Sequence, residues 1–234
     1  MKTRSKRYRE SAKSFNPVKI YKLPEAVKVL KAFKPVKFDE SVTLNFQLGI
    51  RPDQPNELVR GTAVLPHGTG KTVRVLCFVK GEGQRAAKDA GAEYIGAEEF
   101  IKKVESGWLE FDAVVAHPDM MREIRKLGKI LGPRGLMPTP KTGTVTPDVG
   151  KAVKEIKGGR VEFKSDKTAG LHVLCGKRSF SEEDLVANIE AVLKAVARAK
   201  PQAAKGDYMR SVRLSSSQSP GLKLQLAGAS VLEE

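Results

Sequence analysis

VTLNFQLGI, residues 42–50, alternates without a break: Val42, Leu44, Phe46, Leu48 and Ile50 fall on one side, Thr43, Asn45 and Gln47 on the other. A repeat of two belongs to an extended strand with one buried and one wet face. Farther along, VRVLCFVK (73–80) and FDAVVAH (111–117) become nearly continuous apolar runs, each followed by helix-like sequence. Such runs suit parallel strands covered on both faces. After Gly158 and Gly159 the alternation returns. RVEFKS sets Val161 and Phe163 on one face, and LHVLC does the same with Leu171, Val173 and Cys175.

The two styles nest one inside the other. They predict a discontinuous domain, residues 1–66 plus 160–234, built as an antiparallel sheet with helices (α+β), and an inserted domain, residues 67–159, built as a Rossmann-like three-layer α/β unit. Two helices are expected to cover the sheet. One runs from Ser181 to about Lys200: Ser181 and Asp184 have the spacing of a capping pair, Leu185, Ile189, Val192 and Val196 form the apolar stripe, and Pro201 prevents continuation. The other begins near Pro24, carries Val27, Leu30 and Phe33, and stops before Pro35. The chain crosses between domains at Pro66, Gly68 and Gly70 and again at Gly158 and Gly159, positions suited to a hinge.

Charge sorts the possible partners. Lys and Arg number 42 against 27 Asp and Glu in 234 residues, a formal net charge of +15, which favours a polyanion. Residues 67–159 hold 16 basic and 12 acidic side chains, leaving a net of +11 for the outer domain, which includes 12 basic against two acidic in residues 1–37. The basic start, MKTRSKRYRESAK, is followed by no apolar stretch, and the run from Val75 to Val79 is too short for a bilayer, so a cytoplasmic protein without a membrane partner is expected. Cys77 and Cys175 are far apart and no histidine has ligand spacing, which argues against a disulfide framework or a metal site.

Two motifs raise the question of an enzyme. PHGTGKT, ending at Thr72, resembles a phosphate loop, but the first glycine of that motif is here Leu65, and a strand-like run leaves the segment where a helix should. GEGQRA, Gly81 to Ala86, follows a strand and opens a helix, as in an NAD-type dinucleotide site with Glu98 or Glu99 on the ribose; this is the alternative function. No acid–base pair accompanies it, and His67, His117 and His172 lie in separate segments, so no catalytic group and no cofactor is expected.

The wet strand faces point to RNA. With Val212 and Leu214 inward, Ser211, Arg213 and Ser215 face out, joined by Ser41, Thr43 and His172. Hydroxyl, imidazole and guanidinium groups bond phosphates and ribose 2′-hydroxyls. Lys37 and the turn bearing Lys164, Lys167 and Thr168 add cations. Phe38 reads either as a core ring at a strand start, the commoner case, or as a stacking platform.

LVRGTAVLPHGTGKTVRV, FDAVVAHPDMM, LGKILGPRGLMPTPKTGTVTPDV, FKSDKTAGLHVLCGK and AKGDY together resemble the bacterial L-one family of large-subunit ribosomal proteins over nearly the whole chain. The resemblance implies a two-domain protein that is not an enzyme. Its outer domain grips large-subunit ribosomal RNA to form a mobile stalk, which helps deacylated transfer RNA leave the exit site. It also implies repression of its own operon through messenger RNA. By that resemblance the RNA contacts fall on Lys37, Phe38, Glu40 and Ser41, then on Lys167, Thr168 and His172, and then on a late loop that here reads SSSQSPG. There Ser216 and Ser217 stand where the family has threonines, Gln218 where it has methionine and Ser219 where it has glycine, so Ser219 is strained if that position requires positive φ. Arg134, in GPRG, either touches RNA or shapes a rigid loop.

Overall fold

The computed structural model describes residues 4–81, 83–204 and 206–225, with side chains for all of these but Pro55 and Lys141. Met1–Thr3, Glu82 of GEGQRA and Lys205 of AKGDY lie outside the described residues. The chain divides into two compact units, Met1–Gly70 with Val161–Glu234, and Lys71–Arg160.

The first limb of the outer unit opens with α1 (Lys6–Lys13), where Ser5 Oγ accepts from the Tyr8 amide. The short strand β1 (Ile20–Tyr21) follows, then α2 (Leu23–Ala32) with Pro24 in its first turn. Pro lacks the amide that a first turn leaves unbonded in any case. Strands β2 (Ser41–Leu48) and β3 (Arg60–Val64) complete this limb.

The inserted unit runs β4 (Val75–Phe78), α3 (Gly83–Asp89), β5 (Tyr94–Gly96), α4 (Glu98–Glu105), β6 (Ala113–Ala116), α5 (Met121–Ile124), α6 (Gly128–Leu131) and α7 (Val149–Lys157). Its three strands are parallel in the order β5-β4-β6. Central β4 is buried on both sides, which is why its sequence shows no alternation. Val75 and Cys77 pack with Ala87 of α3 and Val149, Val153 and Ile156 of α7. Leu76 and Phe78 pack with Ile101 and Val104 of α4 and with Ile124, Leu127 and Leu131. Asp112 receives Lys71 at 2.6 Å and Arg74 at 3.1 Å, and these bonds, Lys71 foremost, pull its carboxyl down to about 2. Lys71, the lysine of the phosphate-loop look-alike, is thereby engaged by a carboxylate.

The second limb adds β7 (Arg160–Lys164), β8 (Gly170–Lys177), α8 (Glu182–Arg198), β9 (Met209–Ser216) and β10 (Leu222–Leu224). The main sheet has the order β1-β10-β9-β2-β8, antiparallel throughout except for the parallel edge pair of β1 and β10. On its inner face lie Val42, Leu44, Phe46, Leu171, Val173, Val212 and Leu214, packed against Leu30 of α2 and Leu185, Ile189, Val192 and Val196 of α8. Each of the four α8 side chains is fully buried, worth about 1.5–3 kcal/mol apiece. Ser181 Oγ accepts from the Asp184 amide at 3.0 Å, closing the helix start.

Two details depart from the sequence reading. The outer unit has a second sheet, the ribbon of β3 and β7, where a single sheet was expected. Phe163 packs so tightly there that a Cβ on Gly61 would stand 2.8 Å from its ring. The other concerns the first crossing: Pro66, Gly68 and Gly70 belong to the outer unit, and the divide comes after Gly70. Buried Asn188 of α8 accepts from the His67 amide at 3.0 Å and donates to the Gly68 and Cys175 carbonyls. Gly70 has φ +70, and a Cβ there would meet Phe180 at 2.8 Å. At the second crossing Gly158 closes α7, and Gly159, with φ 102, turns the chain into β7.

Candidate nucleic-acid interface

Strand register fixes what the outward face of the main sheet carries. One row crosses all five strands: Ile20 opposite Lys223, Lys223 opposite Arg213, Arg213 opposite Asn45, Asn45 opposite His172. In the next row Thr43 lies between Ser215 and Leu174, and on the other side Gln47 lies between Ser211 and Gly170. At the end of β2, Ser41 pairs with Lys177, whose ammonium donates to Ser41 Oγ at 2.9 Å.

Four of these polar groups form one chain of side-chain hydrogen bonds. Thr43 Oγ1 and Ser215 Oγ are 3.2 Å apart, and Asn45 Nδ2 donates to the same Ser215 oxygen at 2.8 Å. Since Asn45 gives its amide hydrogens to Ser215, its Oδ1 faces His172 Nδ1 at 2.9 Å, and that ring nitrogen carries the proton. His172 Nε2 then points toward Asp166, 3.9 Å away.

The D-K-T turn is built on Asp166. Its Oδ1 accepts from the Thr168 hydroxyl and amide, both at 2.8 Å, and from the Gly170 amide at 2.7 Å. These bonds, the Thr168 hydroxyl first, hold the carboxyl below its ordinary range. Lys167 and Thr168 are exposed at the tip, and Gln47 Nε2 donates to the Thr168 carbonyl at 3.1 Å. Ala169 closes the turn in the left-handed region at φ 59.

At the opposite end of β2, Lys37 and Phe38 are exposed, Phe38 at 54%. The core-ring reading of Phe38 is therefore overturned. The segment is pinned beside the ring, where Asp39 accepts from the Ser179 amide at 3.2 Å and hydroxyl at 2.8 Å. Glu40 differs from its neighbours: it is 1% exposed and both of its oxygens are engaged. Oε1 takes Arg178 at 2.6 Å and the Val36 amide at 3.1 Å, and Oε2 takes the Ser216 hydroxyl. Glu40 shapes the interface from beneath it.

The SSSQSPG loop meets the same end. Ser217 Oγ accepts from the Ser41 amide at 3.2 Å, and a four-residue turn closes from the Ser219 amide to the Ser216 carbonyl at 3.0 Å. The left-handed residue is Gln218, φ 61, and not Ser219. Position three is where such a turn demands positive φ. Ser219 Oγ instead accepts from the Ser216 amide at 2.8 Å. Arg7 of α1 reaches over to the Gln218 carbonyl at 2.9 Å and its side-chain oxygen at 3.3 Å, a contact 211 residues apart that no local pattern announces.

The result is one strip along β2, about 25 Å long for eight extended residues. Ser41, Phe38 and Ser217 mark one end, Thr168 the other, with Thr43, His172, Ser211, Arg213 and Ser215 between. Sequence reasoning passed over Asn45 and Gln47, although their alternation placed them there, and also Lys177 and Lys223, which need strand pairing to be located. Among the described residues, Lys37, Lys167, Arg213 and Lys223 make no ion pair.

The rival dinucleotide segment is built differently. Gly81 turns the chain at φ 67, and a Cβ on Gly83 would lie 2.4 Å from Val79. Both glycines answer to backbone turning and packing, and α3 is only seven residues long. Glu98 is held by Lys80 at 3.2 Å.

The model of the Ribosomal protein L1p/L10e family matches residues 30–220. "Large ribosomal subunit protein uL1" of Protochlamydia amoebophila (strain UWE25) is 53% identical over 222 residues, covering 95% of this chain and 94% of that protein. The protein of the same description from Kosmotoga olearia (strain ATCC BAA-1733 / DSM 21960 / TBF 19.5.1) is 50% identical over 224 residues, covering 96% and 97%. That of Nocardioides sp. (strain ATCC BAA-499 / JS614) is 50% identical over 221 residues, covering 94% and 92%.

Proposed function

The chain belongs to the ribosomal protein L1p/L10e family, and from that premise we propose that it is a component of the large subunit of the cytoplasmic ribosome whose outer unit holds ribosomal RNA along the β2 strip. It is a structural protein and not an enzyme, which sets the NAD-type reading of Gly81–Ala86 aside. The observation that carries the proposal is the strip itself: a pre-bonded row of hydroxyl, amide and imidazole groups, flanked by the unpaired cations Lys37, Lys167, Arg213 and Lys223. The cations meet phosphates, and the hydroxyls and His172 distinguish ribose from deoxyribose.

The reading extends to the family's wider role. With the outer unit anchored, the inserted unit swings as part of the mobile stalk beside the exit site and helps deacylated transfer RNA depart. With His67 and Gly68 bonded to Asn188, this reading puts the swing after Gly70 and at Gly159. A messenger RNA that copies the ribosomal element would occupy the same strip, which gives repression of the protein's own operon.

The test is the salt dependence of binding to a large-subunit RNA fragment. Lys37→Ala, Lys167→Ala and Arg213→Ala should each lower the log–log slope by roughly one unit. A slope unchanged in all three removes the strip from the interface.

A further inference from the structure

Residues 122–135 of the inserted unit read REIRKLGKILGPRG. They fold as α5, a short 3-10 turn Arg125–Leu127, α6 and an exposed tip. Ile124, Leu127 and Leu131 are buried in the unit's core. The exposed positions are Arg122, Arg125, Lys126, Lys129, Gly132, Pro133, Arg134 and Gly135. Apart from glycine and Pro133, every exposed side chain in this stretch is a cation.

The four helical cations fall at spacings of three, one and three, so they share the face opposite the buried residues. The stretch contains one acid, Glu123, and it is half-buried and held by Lys80 at 3.2 Å. Among the described residues none of the five cations makes an ion pair or side-chain hydrogen bond; Lys71, Arg74, Lys80, Lys157 and Arg160 of the same unit are paired with carboxylates, and the other cations without an ion pair, Arg85 and Lys88, Lys102 and Lys103, Lys151 and Lys154, lie only two to a helix. Like charges on neighbouring turns repel one another weakly where exposed, and a bound polyanion relieves that repulsion.

We propose that this face is a second RNA-contact surface, which takes the ribose-phosphate backbone of a folded RNA. The side chains step along the helical segment at about 5–6 Å, close enough to meet successive phosphates of a strand. No aromatic ring is exposed among them, so the surface reads backbone and not base sequence. A bilayer is a poorer match, because insertion calls for an apolar face and here the apolar face is already buried. The inference rests on the RNA-binding reading of the outer strip only for the class of partner.

The experiment uses the full-length chain and unfractionated deacylated transfer RNA as the probe, titrated across salt. Four proteins are compared: wild type, the strip variant Lys37→Ala/Lys167→Ala/Arg213→Ala, the face variant Arg122→Gln/Arg125→Gln/Lys126→Gln/Lys129→Gln, and the combination. The face changes should lower the log–log slope by about 3 in both backgrounds, with melting no lower than wild type because all four side chains are exposed and their mutual repulsion is removed. A charge-preserving set, Arg122→Lys/Arg125→Lys/Lys126→Arg/Lys129→Arg, should restore the slope. An unchanged slope in both backgrounds overturns the proposal, as does a parallel titration with phosphatidylserine vesicles in which the face changes weaken binding to the vesicles and not to the RNA. If instead the strip variant holds a large-subunit RNA fragment as tightly as wild type, the reading of the strip fails while the face is judged separately on its own slope.

Discussion

Phe38 keeps 54% of its surface in water at the mouth of β2, while most other phenylalanines of the outer unit lie in or against its core. The backbone beside the ring is fixed by Asp39–Ser179 and Glu40–Arg178, so the ring is presented and not merely left out. Phe38→Ala should therefore leave stability within about 0.5 kcal/mol of wild type, as surface changes do, and weaken RNA binding by about 1–3 kcal/mol through a lost stacking platform. Paired melting and binding measurements decide it: a drop in melting with binding intact would return the ring to the core. The sequence could not make this choice, because an aromatic at a strand entrance has the same pattern buried or exposed. Likewise, a glycine replaced by Ser219 suggested strain there, yet the turn closes so that Gln218 takes the left-handed residue.

Elements with a clean period were legible in advance, and elements held by distant contacts were not. β2 and α8 each show their buried side at a fixed spacing, and every residue assigned to those stripes is buried. β3 hides its spacing, since Val64 is apolar yet 56% exposed between buried Ala63 and Leu65. The clasp around Glu40 also escapes any local pattern. It draws together the end of α2, where Arg178 donates to the Lys31 carbonyl at 2.8 Å, the start of β2, the residue after β8 and the end of β9. Glu40→Ala leaves the Arg178 guanidinium buried without its counter-ion, and removing one member of a buried pair costs about 3–5 kcal/mol. Urea unfolding should show that loss as a lower midpoint. A midpoint near wild type would mean that Glu40 is not the keystone of this corner, and would reopen its assignment as a direct RNA contact.

At the scale of the whole molecule, charge and architecture divide the work between the two units. The outer unit combines both ends of the chain and most of the excess charge, and its strip alternates with a core face on the same strands. The inserted unit pairs Lys71, Arg74, Lys80, Lys157 and Arg160 with carboxylates and gathers Arg122, Arg125, Lys126 and Lys129, none of them ion-paired among the described residues, on one helical face. The nesting of the two units was legible because the hydrophobic period changes twice. The points of crossing were less so, because Asn188 fastens His67 and Gly68 from 120 residues away. The central claim is that the β2 strip grips ribosomal RNA, and crosslinking in cell extract with sequencing of the attached RNA and mapping of the attached peptide tests it most directly. Large-subunit RNA joined to peptides containing Lys37–Ser41, Lys167–His172 or Ser211–Ser219 is the predicted result. Crosslinks that never reach those three segments, or RNA drawn without preference from the whole cell, would contradict it.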